Sequence, residues 1–328
     1  MNIAKYPDVF DELKAEVREA GLLDRVPIRG SIEMIGVILG MIIVDIIAYN
    51  WSHFASIVWA PYALGFFMAI IFTRAVFISH DILHLQYFKK KSLSFALSYP
   101  FSAVILSYSS SWWDIKHNIN HHTWCNIPQK DEDIREMDGA FTNHQKGNLA
   151  WLRATKYFVF WGAMFFMHLA FMFRSYSFVI RNKKWKEFGL MLLHWPLVVG
   201  PIFYFLPLND ALIVSLSLNL IVSPWLGLGF APNHFGCEVF EEEDGKTLSW
   251  MELQMRTSRS LTGGAFAHWF FGGLNTQIEH HLFPKAPRFH LLKVKKITKR
   301  FAKKHNIDYF ETTPLRAYIQ INDVLKEY

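Results

Sequence analysis

Residues 31–49 read SIEMIGVILGMIIVDIIAY and residues 55–79 read ASIVWAPYALGFFMAIIFTRAVFIS. Each run is long enough to cross a hydrocarbon layer, which needs roughly 20 apolar residues in a helix. A second pair, Phe188 to Leu206 and Ala211 to Ala231, repeats the arrangement. Only Asn50 to Phe54 and Pro207 to Asp210 join the members of each pair, so each is expected to be a helical hairpin that barely emerges on the far side. Composition agrees: 52% hydrophobic and 16% aromatic residues, with 30 Phe and 12 Trp among 328 positions, point to lipid exposure rather than to a larger soluble core.

Charge fixes the expected orientation. Arg74 is the single Lys or Arg between Ser31 and Ser79, and there is none between Glu187 and Ala231, so 33 of the 34 basic residues flank the hairpins. The positive-inside rule puts those flanks in the cytoplasm. The net charge of +6 is thereby explained by topology, which leaves nucleic-acid binding without support. Two further apolar stretches, Ser92 to Ser111 and Tyr157 to Ile180, are expected to lie in the interface. If the first crossed, His84 and His117 would fall on opposite faces; if the second crossed alone, Lys183, Lys184 and Lys186 would be exported. The expected fold is all-α and integral to the membrane. It has four transmembrane helices in two hairpins (about 31–49, 55–79, 188–206 and 211–231), a cytoplasmic segment 1–30, and a helical cytoplasmic cap of 80–187 and 232–328, in one domain. The first thirty residues mix charges with isolated apolar positions and read as neither signal nor transit peptide. Cys125 and Cys237 fall on the cytoplasmic side and read as ordinary thiols.

Three histidine clusters fall on that same side: His80-Asp81-Ile82-Leu83-His84, His117-Asn118-Ile119-Asn120-His121-His122 and Gln277-Ile278-Glu279-His280-His281, with His234 following the last apolar run. His80 and His84, His117 and His121, and Gln277 and His281 are each four apart, a spacing that aligns side chains on one face of a helix. One zinc takes three or four protein ligands, so eight imidazoles and one amide imply two metals. Imidazole alone does not name the metal. An apolar stem delivering its polar chemistry to one cap suggests an enzyme acting on a lipid. Histidine-held iron can activate O2 for that purpose.

These residues resemble a membrane fatty-acid desaturase, and specifically the front-end group, whose third box begins with Gln as Gln277 does here. The resemblance covers Gly273 to Pro284 around that box, Trp112-Trp113 before the second box, Asn126, Lys130, Asp131 and Asp133 after it, Asn233-His234, Pro287-Arg288 and the Lys303 to Tyr309 stretch, and runs from about Phe77 to about Ile321. It implies two iron ions held by His80, His84, His117, His121, His122, His234, Gln277, His280 and His281. Asp81, Glu279, Asp131 and Asp133 become candidates for orienting imidazole N–H groups, with a solvated acidic loop as the plainer account of Asp131 and Asp133. Trp112 and Trp113 are candidate walls of an acyl tunnel. The implied reaction is O2-dependent insertion of a cis double bond into an acyl chain, as acyl-CoA or membrane lipid, on the carboxyl side of an existing double bond.

Many front-end desaturases carry an N-terminal cytochrome b5 domain with a His-Pro-Gly-Gly signature. That signature does not occur here, so a separate donor is expected, such as ferredoxin or cytochrome b5 with its reductase, and a bacterial inner membrane is favoured over the endoplasmic reticulum. The basic stretch Lys293 to Lys304 is either a site for anionic headgroups or the redox donor, or simply the polar face of a cap helix. Two other activities fit parts of the pattern. A di-iron lipid hydroxylase would share the first hydrogen abstraction. A zinc-dependent membrane hydrolase would need one metal and leave most of the second box without a purpose. A haem-carrying electron transporter fits least, because its paired histidines would have to lie within the membrane.

Overall fold

The computed structural model describes residues 4–134 and 155–327. The interval 135–154, which contains His144, lies outside the described residues. In chain order the helices are α1 (Phe10–Glu19), α2 (Pro27–Tyr49), α3 (Ala60–Leu83), α4 (Lys91–Tyr99), α5 (Ser110–Trp113), α6 (Lys156–Ala163), α7 (Met167–Arg181), α8 (Trp185–Leu192), α9 (Gly200–Phe205), α10 (Leu208–His234), α11 (Glu242–Gly245), α12 (Trp250–Arg256), α13 (Ala265–Phe270), α14 (Gln277–Leu282), α15 (Arg288–Lys304) and α16 (Pro314–Glu327). The only strands among the described residues, β1 (Ser260–Leu261) and β2 (Glu311–Thr312), pair in parallel with Ser260 opposite Glu311. The chain divides into two compact units, the first drawn from Met1–Arg25, Ile115–Gly162 and Leu228–Tyr328, the second from Val26–Asp114 and Ala163–Gly227.

The second unit is built from apolar helices. Proline at the first turn starts both α2 and α3, where its missing N–H costs nothing. The outward face of α2 carries Ile32, Ile35, Leu39 and Ile46, all more than half exposed, a pattern that water would penalise and lipid would not. The turn after α2 is tied to the start of α10 by Trp51 Nε1, which donates to Asp210 Oδ2 at 2.8 Å. Gly65 of α3 lies against α10, where an added Cβ would sit 2.6 Å from Ser217 Cβ.

Among the described residues, five helical stretches, rather than four, are long and apolar enough to cross a membrane: Pro27–Tyr49, Ala60–Leu83, Lys156–Arg181, Trp185–Phe205 and Leu208–His234. The four expected spans are among them with shifted ends. α3 begins at Ala60 rather than Ala55 and runs on through His80. The additional stretch covers the segment expected in the interface and is interrupted by a 3₁₀ turn at Met164–Phe166. Ser92 to Ser111 does not form a long helix: α4 passes at Pro100 into a π-helical segment, Pro100–Ile105. With this composition and these exposed apolar faces, the chain is a membrane protein.

The first unit is an ordinary hydrophobic core around a polar centre. The apolar side of α15, with Leu291, Val294 and Phe301, packs with Leu13 and Val17 of α1 and with Ile278 and Leu282 of α14. α14 is entered through Gly272 and Gly273, both left-handed. At Gly273, φ is +87°, and a Cβ would come within 2.9 Å of Arg288 Cβ, so a side chain there would displace the start of the third box.

Candidate metal centre

The second histidine box does not sit on an α-helix. Asp114–His121 is π-helical, a wound form that is rare and concentrated at functional sites. In that winding the rings of His117 and His121 still stack, 5.2 Å apart at 20°. His122 turns to the third box, its ring 4.7 Å from His280 and 4.4 Å from His281. His234, the last residue of α10, closes a triangle with two of these residues: ring centroids are 4.7 Å from His121 to His234, 4.9 Å from His121 to His281 and 4.6 Å from His234 to His281. The Gln277 amide nitrogen lies 2.8 Å from His234 Nε2. The first unit therefore gathers His117, His121, His122, His234, Gln277, His280 and His281 into one buried cluster.

The outer edge of the cluster fixes how the rings face. His121 Nδ1 donates to Asp131 Oδ2 at 2.9 Å, His234 Nδ1 to the Thr257 carbonyl at 3.0 Å, and His281 Nδ1 to Gln254 Oε1 at 2.7 Å. An imidazole whose Nδ1 carries the proton presents a lone pair at Nε2. His281 Nε2 and Gln277 Oε1 are both buried with no hydrogen-bond partner. A lone pair left so in a folded core costs about 1–3 kcal/mol unless something binds it. One donor atom from each of His121, Cys125, His234 and His281 lies within 4.8 Å of the others. These residues fit a metal: neutral imidazoles, inward lone pairs, and an outer ring of acceptors that holds each tautomer.

Electrostatics follow the same plan. Burial alone would raise the Asp131 carboxyl, but His121, the Asn126 N–H and Lys116 together hold it down at about 2. Burial works to lower His121, and the Asp131 carboxylate outweighs it, which also makes that imidazole a stronger donor to a cation. His281 is pushed well below its ordinary value by burial and then by neighbouring imidazoles. Asp133 is different: it is half exposed, pairs with Lys116, and lies 3.8 Å from His121 Nδ1. Glu279 is fully buried and faces away, accepting from Tyr309 Oη at 2.8 Å and Ser260 Oγ at 3.1 Å; burial raises it to about 7.

In the second unit, His80 occupies the last turn of α3 and His84 caps it, with ring centroids 4.5 Å apart. His80 Nδ1 meets Asp81 Oδ1 at 3.2 Å, and Asp81 Oδ2 accepts from Tyr87 Oη at 2.9 Å. His80 also lines a narrow cavity of about 20 Å³ with Val76, Ser79, Leu83, Leu106, Tyr108 and Trp113 among its walls. Trp113 is in that wall; Trp112 instead packs edge-on to Trp113 and Phe171.

Three of the remaining described histidines are engaged elsewhere. His268 is engaged at both nitrogens, by Asn275 Oδ1 at 2.9 Å and the Arg288 carbonyl at 2.8 Å. His168 bonds Tyr108, and His194 Nδ1 donates to the Val104 carbonyl at 3.0 Å. Gln254, Asn126 and Cys125 contribute in ways that the sequence did not signal. Gln254 holds His281 and also donates from Nε2 to the His122 carbonyl at 3.1 Å, thereby joining the second and third boxes. Asn126 uses a left-handed backbone, φ 55°, to donate to the His234 and Glu238 carbonyls. The Cys125 thiol lies 3.3 Å from His234 Nδ1, on the outer side of that ring. Asn126 directly after Cys125 is the one local hint; Gln254 sits in a short helix buried from Met251 to Met255.

Long apolar helices and a buried histidine cluster that fits a metal mark a membrane protein with a candidate metal centre. The chain belongs to the fatty acid desaturase family, whose profile matches residues 57–313. It is 31% identical over 293 residues to an acyl-lipid (9-3)-desaturase of Physcomitrium patens, covering 84% of this chain and 54% of that protein. It is 25% identical over 317 residues to the Delta(5) fatty acid desaturase fat-4 of Caenorhabditis elegans, covering 92% and 69%. To the Delta(8)-fatty-acid desaturase 2 of Arabidopsis thaliana it is 24% identical over 330 residues, covering 92% and 70%. The chain thus spans little more than half the length of the moss relative.

Proposed function

We propose that the protein is an O2-dependent acyl desaturase that places a cis double bond between an existing one and the carboxyl end of the chain. The observation that carries this is the buried cluster whose outward Nδ1 bonds aim neutral Nε2 atoms inward, in a chain of the desaturase family. The regiochemistry is supported by Gln277 at the head of the third box and by relatives named for Delta(5) and Delta(8) desaturation. The name of the moss relative favours an acyl-lipid over an acyl-CoA substrate. The reaction balances as one –CH2–CH2– unit, O2, two electrons and two protons giving –CH=CH– and two waters.

The metal is iron, and the ligand set implied by the family is His80, His84, His117, His121, His122, His234, Gln277, His280 and His281. When bound, the iron pair supplies O2 activation. The rest falls to the protein. Asp131, Gln254 and the Thr257 carbonyl hold three imidazoles in one tautomer, and Asp81, itself fixed by Tyr87, does the same for His80. Trp113, Leu106 and Val76 line the apolar side of the narrow cavity beside His80, where an acyl chain would meet them.

The family match runs through segments of both units, which supports a single desaturase domain over 1–328. We place four spans in two hairpins, with α6 and α7 in the interface; the Trp51–Asp210 bond between the two hairpin turns supports it. The termini and the centre then face the cytoplasm, in a bacterial inner membrane before an endoplasmic reticulum, and electrons come from a ferredoxin or cytochrome b5. The test is double-bond localisation by mass spectrometry on total fatty acids of cells expressing the chain, beside His280→Ala. A new unsaturated product absent from the variant is expected. Hydroxylated products would replace this reading by the hydroxylase, and an unaltered product in the variant would overturn the ligand assignment.

A further inference from the structure

α15 is amphipathic in an unusual sense: its apolar side is used up inside the protein. Leu291, Val294, Phe301 and Ala302 are buried in the core shared with α1 and α14, whereas Lys293, Lys296, Lys299, Arg300, Lys303 and Lys304 are exposed. Two of the six are neutralised within the chain, Lys299 by Glu311 at 2.5 Å and Arg300 by Glu16 at 2.7 Å. Among the described residues no carboxylate pairs with Lys293, Lys296, Lys303 or Lys304. A solvated helix face usually balances its charges, and this one does not.

The same face is close to the centre. Lys299 Nζ sits 5.7 Å from the Tyr309 ring centroid, and the Tyr309 hydroxyl donates to Glu279 at 2.8 Å. Glu279 directly precedes His280 in α14. Two side chains therefore separate the basic face from a proposed ligand. We propose that this face of α15 is the docking surface for an acidic, one-electron carrier protein, an inference that rests on the desaturase reading. Each turnover takes two electrons from outside, so two reduced carriers must dock in succession and leave oxidised, each having given up one electron. Four uncompensated lysines would steer an acidic carrier to the face and weaken its hold as salt rises.

A lipid surface suits the face less. Interfacial helices bury an apolar side among the acyl chains, and no large apolar residue of α15 is among the exposed ones.

The test compares the full chain with Lys293→Glu/Lys296→Glu/Lys303→Glu, using two acidic probes, the soluble haem domain of cytochrome b5 and a [2Fe–2S] ferredoxin. Affinity is titrated against ionic strength, and electron uptake is followed by stopped flow. The wild-type chain should bind at least one probe, more weakly as salt rises; the variant's dissociation constant at low salt should rise about tenfold or more, with a flatter salt dependence. Lys→Gln changes at the same three positions should fall between, and they keep the test usable if the triple reversal misfolds. Binding of neither probe by the wild-type chain, or wild-type affinity in the variants, overturns the proposal. So does loss of association with phosphatidylserine vesicles while probe affinity is retained. A wild-type chain that binds a probe yet makes no unsaturated product, even with dithionite, refutes the desaturase reading and not the docking surface.

Discussion

Gln254→Leu isolates the outer support of the centre from the proposed ligands themselves. Gln254 is fully buried and touches the cluster only through its amide, with Oε1 accepting from His281 Nδ1 at 2.7 Å and Nε2 donating to the His122 carbonyl at 3.1 Å. Leucine has similar bulk, so little cavity is created, but two buried polar groups lose their partners at about 1–3 kcal/mol each. The His281 ring is then free to turn or change tautomer. Losing an orienting partner of a ligand histidine typically lowers metal affinity about 10 to 100-fold, or about 1.4–2.8 kcal/mol. The assay is iron content by mass spectrometry after equilibration against graded chelator, on protein purified in detergent. Gln254→Glu keeps an acceptor for His281 and loses the donor to His122, so it should fall between wild type and Gln254→Leu. Retention of iron by Gln254→Leu at the wild-type chelator midpoint would show that His281 needs no such support.

Gly30 lies so close to Tyr87 that an added Cβ would be 2.4 Å from the ring. Gly30→Ala should displace Tyr87 from Asp81 and destabilise the second unit by about 1–3 kcal/mol, read as a lower thermal midpoint; an unchanged midpoint would mean that the ring moves at no cost. Glu311 carries a pH signature. Burial works to raise its carboxyl, but Lys295 and Lys299 outweigh it and hold it below the ordinary value of 4.5. Because the folded pKa is the depressed one, its stabilisation is complete above 4.5 and is lost as pH falls through the folded value. Glu311→Gln should flatten the acid limb of the stability profile, and an unaltered limb in that variant would exclude the pair as its source.

How much of this could be read from the chain follows from the physics of each part. Apolar runs announce themselves because lipid demands about 20 consecutive residues, and the two hairpin pairs stand among the long apolar helices with ends moved by a few residues. The stretch Lys156–Arg181 satisfies the same length and composition rule, so the local criterion alone does not separate it from the others. The clustering of the histidines was legible from their four-residue spacing. Their winding was not, since four-residue spacing is as compatible with the π-helix of Asp114–His121 as with an α-helix. The outer ring was least legible. Gln254 reaches His281 across 27 positions, and His234 is held by a backbone carbonyl, which every residue has.

That outer ring also decides what metal removal should do. His281, whose value burial pushes well below the ordinary one, is kept neutral, so protons do not compensate its inward nitrogen. Gln277 Oε1 is in the same position. Without metal the first unit must either leave these atoms unsatisfied or open to water, and opening would break the Gln254 bridge between His122 and α14. A cation that binds only the folded form adds about 2.7 kcal/mol when present at 100 times its dissociation constant. Chelated protein should therefore melt lower and exchange amide hydrogens faster in α14 and residues 117–122. His281→Ala, which deletes both the orphaned nitrogen and a proposed ligand, should lose most of the difference between loaded and chelated protein. Equal melting and exchange with and without iron would mean that the cluster is satisfied by its own hydrogen bonds, and the case for a metal built on its inward lone pairs would fail.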